Sequence, residues 1–385
     1  MPLFRHCKEL LALLGKKDTL SSAELSRTAS ALLKLQRGLT GGRELAGISY
    51  MDSKELLKAY LLYYWPVSYQ QASYIINNCA FTFSEKKAVS VLDLGSGPAP
   101  VSAAVCDFLA AANQNNVALT FCDWSAKAVA LAQKFFSLAF PDVHTDSLVC
   151  NFEKSLPDLG KNKYDIITAS HTLNELWKDD DRKIEKRLAF VKYVAEHLSD
   201  GGYLILIEPA LLKTSRELIA IRDILAVDTA CGLTLVAPCL SSCSPCPALL
   251  QGESVTCHCE AGWTEVEPAA SLAKAARLDR ESVKMTYFVF QKNRLQSKTV
   301  STEGRALVVS DAMLNKAGRV RYVLCDGKKR FTLSAKKGDA VAAGKGFFDL
   351  RRYNVIEVTN PELRGDKNNP SFGIGETTTI RHVRA

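Results

Sequence analysis

The pattern of hydrophobic and polar positions changes along the chain. In residues 1 to about 80, leucines such as Leu10 and Leu14 recur at helical spacing, and the sequence at 21–24 is typical of a helix start. From Ala88 onward, apolar runs of strand length alternate with helical segments. This alternation predicts an α/β fold with a doubly wound, Rossmann-like parallel sheet.

Aromatic residues are concentrated between Ser53 and Asn78, where tyrosines surround Trp65 and Pro66. Such a segment either packs against the neighbouring domain or stacks on nucleic-acid bases. We expect packing, because large aromatic side chains supply much of the apolar area that a core buries.

Downstream of Lys292 the helical segments largely disappear. Short strand-like runs among glycine-containing turns predict a small β-rich module, and an oligonucleotide-binding (OB) barrel is one architecture that fits. The polar tail beyond Asn360 is expected to be loose. The predicted organisation is therefore a helical region at 1–80, an α/β domain at 81–291 and a β-rich module at 292–385.

The composition excludes several classes of protein. Hydrophobic residues make up 47% and charged residues 23% of the 385, which rules out global disorder. No apolar run approaches the roughly 18 residues that a membrane helix needs, and the N-terminus lacks the build of a secretory signal. We therefore expect no membrane association and a cytoplasmic protein, or a mitochondrial-matrix protein if the source is eukaryotic.

The net positive charge is confined to the last quarter of the chain. The whole sequence has a formal net charge of +8, whereas residues 292–385 hold 19 Lys and Arg against nine Asp and Glu, a net charge of +10. A basic module beside a near-neutral body indicates contact with a polyanion, and RNA or DNA is the usual one. A solvated basic surface without a partner is the alternative.

A glycine loop follows the first predicted strand and opens a helix. It reads Asp-Leu-Gly-Ser-Gly-Pro-Ala-Pro from Asp93 to Pro100, and its two glycines allow a tight turn and close approach of a ligand to the backbone. A dinucleotide-binding fingerprint needs Gly or Ala where Pro100 stands, which weighs against NAD. Asp123, at the end of the second strand, supplies acceptors for a ribose diol.

This set of residues resembles the S-adenosylmethionine (SAM) pocket of class I methyltransferases. The resemblance implies that the glycine loop faces the amino-acid end of SAM, that a carboxylate binds the ribose hydroxyls, and that aromatic and amide groups border the adenine. The residues are, in that order, Gly95 and Gly97 with Asp93 nearby, Asp123, and then Trp124 with Asn151 or Phe152.

The segment after the fourth strand reads Ser-His-Thr-Leu-Asn-Glu-Leu from Ser170 to Leu176. It contains neither the Asn-Pro-Pro-Tyr motif of amino-methylating enzymes nor a Pro-Cys or Thr-Cys pair that would attack cytosine. His171 and Glu175 are candidates for a base and its orienting partner, since residues four apart share a helix face. The preferred interpretation is that His171 caps or lines the cofactor pocket, and no catalytic residue is assigned.

Twelve cysteines are present, and six of them lie between Cys231 and Cys259. Without a secretion signal a disulfide framework is not expected, and a clustered set indicates a metal site. Chemistry alone allows zinc, held by four Cys or His ligands, and an iron–sulfur cluster, held by four thiolates at irregular spacing. The cysteine-rich insertion is placed at 231–262.

A second resemblance supplies a ligand set. The chain resembles the methyltransferase-like assembly factors of the mitochondrial small ribosomal subunit and their bacterial relatives, in the segments at 170–176, 207–209, 237–247 and 320–327. In that family four cysteines hold a [4Fe–4S] cluster, and one of them comes from downstream of the methyltransferase domain. Carried over, the ligands are Cys239, Cys246, Cys257 and Cys325, with Cys243 and Cys259 as alternates because this chain departs from the family spacing there.

The resemblance implies a function as well. It implies a SAM-binding, methyltransferase-like protein that associates with small-subunit rRNA and the small ribosomal subunit and supports its assembly. The cluster would be a structural element, and the protein a monomer off the ribosome. An active rRNA methyltransferase and a zinc-stabilised methyltransferase of another substrate stay open. Radical chemistry fits the Cys-x₃-Cys-x₂-Cys spacing from Cys239 to Cys246, but it would leave the Gly95–Gly97 loop redundant.

Overall fold

The computed structural model describes residues 2–17, 19–40, 51, 53–83, 88–241, 245–278, 280–293, 304–364 and 371–383. The chain divides into two compact units, one formed by Met1–Asp179 with Ala261–Val283 and the other by Asp180–Glu260 with Lys284–Ala385. These units divide the chain elsewhere than at 80 and 291, and those two boundaries stay predictions. Among the described residues, no helix is long and apolar enough to span a membrane.

Helices form the N-terminal part of the first unit. They are α1 (Pro2–Leu13), α2 (Ser22–Thr40), α3 (Lys54–Ala59), a π-helix at Tyr60–Tyr64 and α4 (Trp65–Asn78). A capping box precedes α2: the Ser21 N–H donates to Glu24 Oε2 (3.1 Å) and the Glu24 N–H donates to Ser21 Oγ (3.3 Å). This confirms the predicted helix start. The aromatic segment packs as expected, since Trp65 is completely buried.

A parallel sheet follows in the same unit. Its elements are β1 (Val89–Leu94), α5 (Pro100–Ala111), β2 (Val117–Asp123), α6 (Ala126–Ala139), β3 (His144–Val149) and β4 (Tyr164–Ser170). These four strands are parallel and hydrogen-bond in the order β3-β2-β1-β4. β1 and β4 are buried along nearly their whole length, which is typical of parallel strands covered on both faces. The predicted α/β fold is confirmed.

In the second unit, helices and strands continue to alternate as far as β8. The elements that follow along the chain are α7 (Lys183–Glu196), β5 (Leu198–Pro209), α8 (Leu212–Val227), β6 (Leu233–Ala237), α9 (Pro247–Leu250), β7 (Cys259–Gly262), α10 (Ala269–Ala275, which belongs to the first unit) and β8 (Ser282–Lys292). β8 lies between β5 and β6 and runs antiparallel to both, with Tyr203 opposite Gln291. The sequence pattern locates β8, but the expectation that this sheet is parallel throughout is wrong at β8, because an apolar run shows where a strand lies and not its direction.

A second sheet forms the rest of this unit. It contains β9 (Arg305–Val308), β10 (Met313–Leu314), β11 (Arg319–Cys325), β12 (Arg330–Lys336), β13 (Val355–Thr359), β14 (Glu362–Leu363), β15 (Ser371–Gly373) and β16 (Thr379–Val383), with helix α11 at Ala340–Gly344. The strand order is β14-β15-β12-β11-β9-β13-β16, and β10 pairs with β11. Its core includes Tyr322, Leu324, Leu333 and Phe347. The β-rich module is confirmed, and the OB type stays a prediction.

Two sequence-based expectations miss strands. Within the described residues beyond Asn360, the segment at 379–383 is not loose, because β16 pairs with β13 from Thr359 opposite Thr379 to Val355 opposite Val383. The alternation in this strand is weak: Ile380 packs on the core, but His382, which lies on the same side of the strand, is exposed. β3 escapes prediction for a similar reason, since it is a sheet edge with a largely exposed, polar sequence.

Candidate functional site

The glycine loop lies at the carboxyl end of β1, directly before α5. Gly95 and Gly97 have φ angles of 66° and 52°, which an L-residue with a Cβ adopts only with strain. A Cβ on Gly95 would lie 2.2 Å from Thr172 Oγ1, and the Thr172 hydroxyl itself donates to the Leu94 carbonyl oxygen (3.0 Å). Gly95 is therefore required by packing as well as by backbone conformation.

Asp93 is buried at the end of β1 and braces the loop. Ser102 Oγ donates to its Oδ2 (2.6 Å) and Thr168 Oγ1 donates to its Oδ1 (2.7 Å). Burial raises the pKa of Asp93 to about 6, although both hydroxyl donors act to lower it. The carboxyl group thus joins β1 to α5 and β4 and fixes the strand end from which the loop starts.

Asp123 lies where β2 ends and connects two loops. Its Oδ2 accepts from the Gly97 N–H (2.9 Å), and its Oδ1 accepts from the Ser125 N–H (2.8 Å). Burial raises the pKa of Asp123, and the backbone donors oppose that shift. Because each carboxylate oxygen has two lone pairs, Asp123 keeps acceptor capacity beyond these two bonds.

The predicted adenine-side residues lie beside Asp123. Trp124 is 37% exposed, and the Cys150 N–H donates to the Asp123 carbonyl oxygen (3.0 Å), which holds the end of β3 next to the end of β2. Asn151 and Phe152 follow, the first half-buried and the second buried. The structure therefore brings these residues together at the carboxyl ends of neighbouring parallel strands, where open α/β sheets bind ligands.

The expected helix around His171 and Glu175 is absent. Residues 173–179 form turns, and His171 has a φ of 54°, which interrupts any helix at that point. The helix-face argument for a base and its orienting partner is therefore wrong. His171 Nε2 donates a hydrogen bond to Gln71 Oε1 (2.8 Å). Burial lowers the pKa of His171 to about 4, so the ring is neutral near pH 7. Glu175 is exposed.

Sequence reasoning missed that the N-terminal helices reach the glycine loop. A Cβ on Gly97 would lie 3.8 Å from Met51 Cε and 4.0 Å from Tyr60 Oη. Trp65 Nε1 donates to the Pro98 carbonyl oxygen (2.9 Å). The aromatic segment signals burial, but Tyr60 belongs to a π-helix, whose wider turn moves side chains off the faces that α-helical spacing predicts.

The four predicted cysteine ligands come together within the second unit. Cys239 follows β6, Cys246 precedes α9, Cys257 precedes β7 and Cys325 ends β11. Burial raises the pKa of the Cys239 thiol, and the negative charges of the other three thiolates raise it further. Burial likewise raises the pKa of Cys325 to about 11, with contributions from Cys257 and Cys246. Charges act on one another in this way only when the thiols are neighbours.

Hydrogen-bond donors approach three of these sulfur atoms. The Ala248 N–H donates to Cys246 and the Gly327 N–H donates to Cys325, and each bond lowers the pKa of its thiol. Tyr353 Oη lies 3.4 Å from Cys257 Sγ. Such donors favour the thiolate, which is the form that binds metal.

Two arginines supply positive charge next to the thiols. Arg222 is 2% exposed and donates from Nη1 to Asp223 Oδ1 (2.6 Å) and from Nη2 to the Ser241 carbonyl oxygen (2.8 Å). Its charge lowers the pKa of Cys239 and Cys246, and Arg330 does the same for Cys325. The arginines therefore favour the thiolate, whereas burial opposes it and raises the pKa values of these cysteines overall.

Of the two alternate ligands, the structure describes only Cys259. Cys259 is buried at the start of β7, and the charge of its thiolate contributes to raising the pKa of Tyr353. Cys243 lies outside the described residues. In the part of the chain that the structure describes, no cysteine forms a disulfide, and no three His, Cys, Asp or Glu side chains are arranged to hold one metal ion.

Comparison with known families decides where the chain belongs. The family model of the mitochondrial small ribosomal subunit protein Rsm22 matches residues 54–347, well over half of the sequence. The chain is a member of the Rsm22 family. The match to Rsm22 includes the glycine loop and all four cysteines, and it ends before Tyr353. It confirms the resemblance to small-subunit proteins, whereas no curated protein sequence matches the chain.

The solved structures that are similar to this member of the Rsm22 family share little of its sequence. A proposed class I SAM-dependent methyltransferase from Listeria monocytogenes is 12% identical with a TM-score of 0.39, over 77% of this chain and 88% of that one. An rRNA methylase from Streptococcus thermophilus is 9% identical with a TM-score of 0.31, over 58% of this chain and 95% of that one. Similarity this low does not bear on activity.

The close contact at Gly95 gives a stability prediction. We expect Gly95→Ala to lower the free energy of unfolding by about 2–4 kcal/mol, because overpacking against Thr172 adds to backbone strain. Gly160→Ala is the matched control, since Gly160 also has positive φ (56°) but nothing within 4 Å of its added Cβ; it should cost about 1–2 kcal/mol. Urea unfolding measures both, and equal losses would contradict the packing requirement.

Proposed function

We propose that this protein binds SAM, associates with small-subunit rRNA and the small ribosomal subunit, and supports subunit assembly, with a [4Fe–4S] cluster as a structural element. The observation that carries the ribosomal part is membership of the Rsm22 family over residues 54–347. The same membership supports a mitochondrial-matrix location in a eukaryotic source, and the cytoplasm is proposed for a bacterial relative.

The residues at the carboxyl ends of β1, β2 and β3 fit SAM. Gly97 adds no Cβ to the loop, Asp123 retains acceptor capacity for ribose hydroxyls, and Trp124 offers a partly exposed ring to adenine. When bound, SAM supplies an activated methyl group on a sulfonium sulfur. The chain's own contribution is to bind and orient the cofactor.

A carboxylate-to-amide change tests the SAM site. Asp123→Asn keeps an acceptor for the Gly97 N–H but removes the charge, and hydrogen bonds to charged groups are worth about 1.5–3 kcal/mol. We expect SAM affinity, measured by calorimetry, to fall roughly tenfold or more. Asp146→Asn is the control, because Asp146 is exposed on β3 away from the strand end. Unchanged affinity in Asp123→Asn would remove Asp123 from the pocket.

The family resemblance and the donors around the cysteines support a cluster. A [4Fe–4S] cluster takes four thiolate ligands, each on a different iron. The resemblance supplies four such cysteines, and one of them, Cys325, ends β11 of the second sheet. Donors to Cys246, Cys257 and Cys325 suit bound thiolate equally.

Metal analysis tests the cluster directly. Protein purified without oxygen should be brown and contain iron and acid-labile sulfide, and Cys325→Ser should lose most of both. Cys231→Ser is the matched control, since Cys231 lies in the same cysteine-rich segment but bonds to Asp228 Oδ2 (3.2 Å). Colourless protein with stoichiometric zinc would overturn the cluster and favour the zinc-stabilised alternative. An iron that SAM itself binds would instead favour radical chemistry.

A basic patch on the second sheet suits RNA phosphates. It comprises Lys316, Arg319, Arg321, Lys336 and Lys337. Arg319 pairs with Lys336 across β11 and β12, and the Lys337 N–H donates to the Gly318 carbonyl oxygen (2.9 Å), so the two strand ends are held together. Four of the five side chains are exposed and Arg319 is half-buried. Clustered exposed cations on one strand pair form the kind of footprint that binds a phosphate backbone.

Salt dependence tests this patch. Replacing Lys316, Lys336 and Lys337 together by Ala should weaken binding to small-subunit rRNA and flatten the plot of log K against log salt by up to about 2–3, because each lost phosphate contact removes about 0.7–0.9 from the slope. The control replaces Lys127 and Lys134 on α6 in the other unit. An unchanged slope in the triple variant would mean that RNA binds elsewhere.

An active rRNA methyltransferase is the second candidate. It is favoured by the pocket at the ends of β1–β3, because positioning an acceptor against an activated methyl group can supply much of the acceleration without a base. No catalytic residue is proposed, since His171 is engaged by Gln71. Methyl transfer from labelled SAM to small-subunit rRNA, lost in Asp123→Asn, would establish it.

A further inference from the structure

Two buried polar atoms beside the cysteines have no hydrogen-bond partner among the described residues. They are Arg330 Nε and Thr256 Oγ1. Arg330 lies directly opposite Cys325 in the β11–β12 pair, and Thr256 precedes Cys257 in the chain. A buried donor without a partner costs about 1–3 kcal/mol, so folded proteins rarely keep one unless another group satisfies it.

The guanidinium of Arg330 is held in place by its other nitrogens. Nη2 donates to the Thr256 carbonyl oxygen (3.0 Å), and Nη1 donates to Gln251 Oε1 (3.3 Å). These bonds fix a planar group whose remaining N–H is buried. Arg330 therefore presents a positive charge and an unused donor next to Cys325 and Cys257.

Tyr353 provides a donor from another part of the second sheet. It is 7% exposed, and its hydroxyl lies 3.4 Å from Cys257 Sγ. A tyrosine hydroxyl, with an ordinary pKa of about 10, is protonated near pH 7. Against a thiolate, Tyr353 is then the donor.

Arg330 and Tyr353 would both offset the cost of burying negatively charged sulfur. Four thiolates around a buried centre concentrate negative charge, and burying such charge is costly unless cations and donors offset it. Hydrogen bonds to sulfur and local charge also set the reduction potential of an iron–sulfur centre. Residues that do this hold the centre in place without ligating it.

We propose that Arg330 and Tyr353 are positioning residues of the four-cysteine site, which donate hydrogen bonds to the sulfur atoms of the centre, stabilise it against loss and raise its reduction potential. The inference rests on the proposed cluster. It goes beyond the family match, because Tyr353 lies outside the matched residues 54–347. Neither Arg330 nor Tyr353 is among the four cysteines proposed as ligands.

The test compares Tyr353→Phe and Arg330→Gln with the wild-type full-length protein, all purified without oxygen. We expect each variant to lose iron to a chelator about 10- to 100-fold faster, as for other outer-shell partners of metal sites. We also expect a midpoint potential, followed by electron paramagnetic resonance, that is more negative than in the wild type. Arg330→Lys should recover part of the potential, because it restores the charge but not the planar donor.

Matched controls separate this role from general stability. Tyr322→Phe removes a buried hydroxyl of the same sheet that lies 3.4 Å from the Phe348 carbonyl oxygen, and Arg319→Gln removes a cation at the other end of β11. Both should leave iron retention and potential unchanged. If the wild type carries iron and the test variants behave like these controls, Arg330 and Tyr353 have no such role. If the wild type carries no iron, the cluster itself fails, and this inference fails with it.

Discussion

The energetic cost of ionising four cysteine thiols in the second unit is the constraint that any metal centre there must overcome. Burial and the charges of its neighbours raise the pKa of Cys239, so the four thiols do not ionise together without compensation. Arg222, Arg330 and backbone N–H groups supply part of that compensation. Under the proposed function, the iron of the cluster would supply the remainder. Because Cys325 comes from the second sheet and the other three from the 231–262 segment, such a centre would cross-link both within one compact unit.

Close packing and hydrogen bonds position the segments that carry these thiols. Gly327 has no room for a side chain, since a Cβ would lie 2.5 Å from Ser241 Cβ, and Arg222 donates to the carbonyl oxygen of that same Ser241. Asp223, bonded to Arg222, accepts from the Cys246 N–H (2.8 Å). One network of charges and backbone groups therefore sets the positions of the segments that carry Cys239, Cys246 and Cys325. This network suits the structural role that we propose for the site.

The extent to which sequence predicts structure differs between the two sites. Asp93, Gly95, Gly97, Asp123 and Trp124 could be placed in advance, because parallel strands end at one edge and loop residues after them meet there. The pairing of His171 with Gln71 could not, since it joins residues 100 positions apart through a positive-φ turn. The position of Tyr60 near Gly97 could not be predicted either, because Tyr60 lies in a π-helix rather than an α-helix. For the cysteines, composition indicated a metal site, but only the family resemblance singled out Cys325, which lies 66 residues beyond Cys259 in sequence.

The roles of Arg330 and Tyr353 were invisible to sequence reasoning for a further reason. An arginine in a basic module is taken for a surface cation, as most of its neighbours are; Arg330 differs because the register of β11 and β12 sets it against Cys325 and buries its Nε. The same charge that suits a polyanion on the exposed patch serves a sulfur-bound centre when it is buried. Part of the +10 charge of residues 292–385 is therefore not available to RNA, and the salt slope should reflect only the exposed cations.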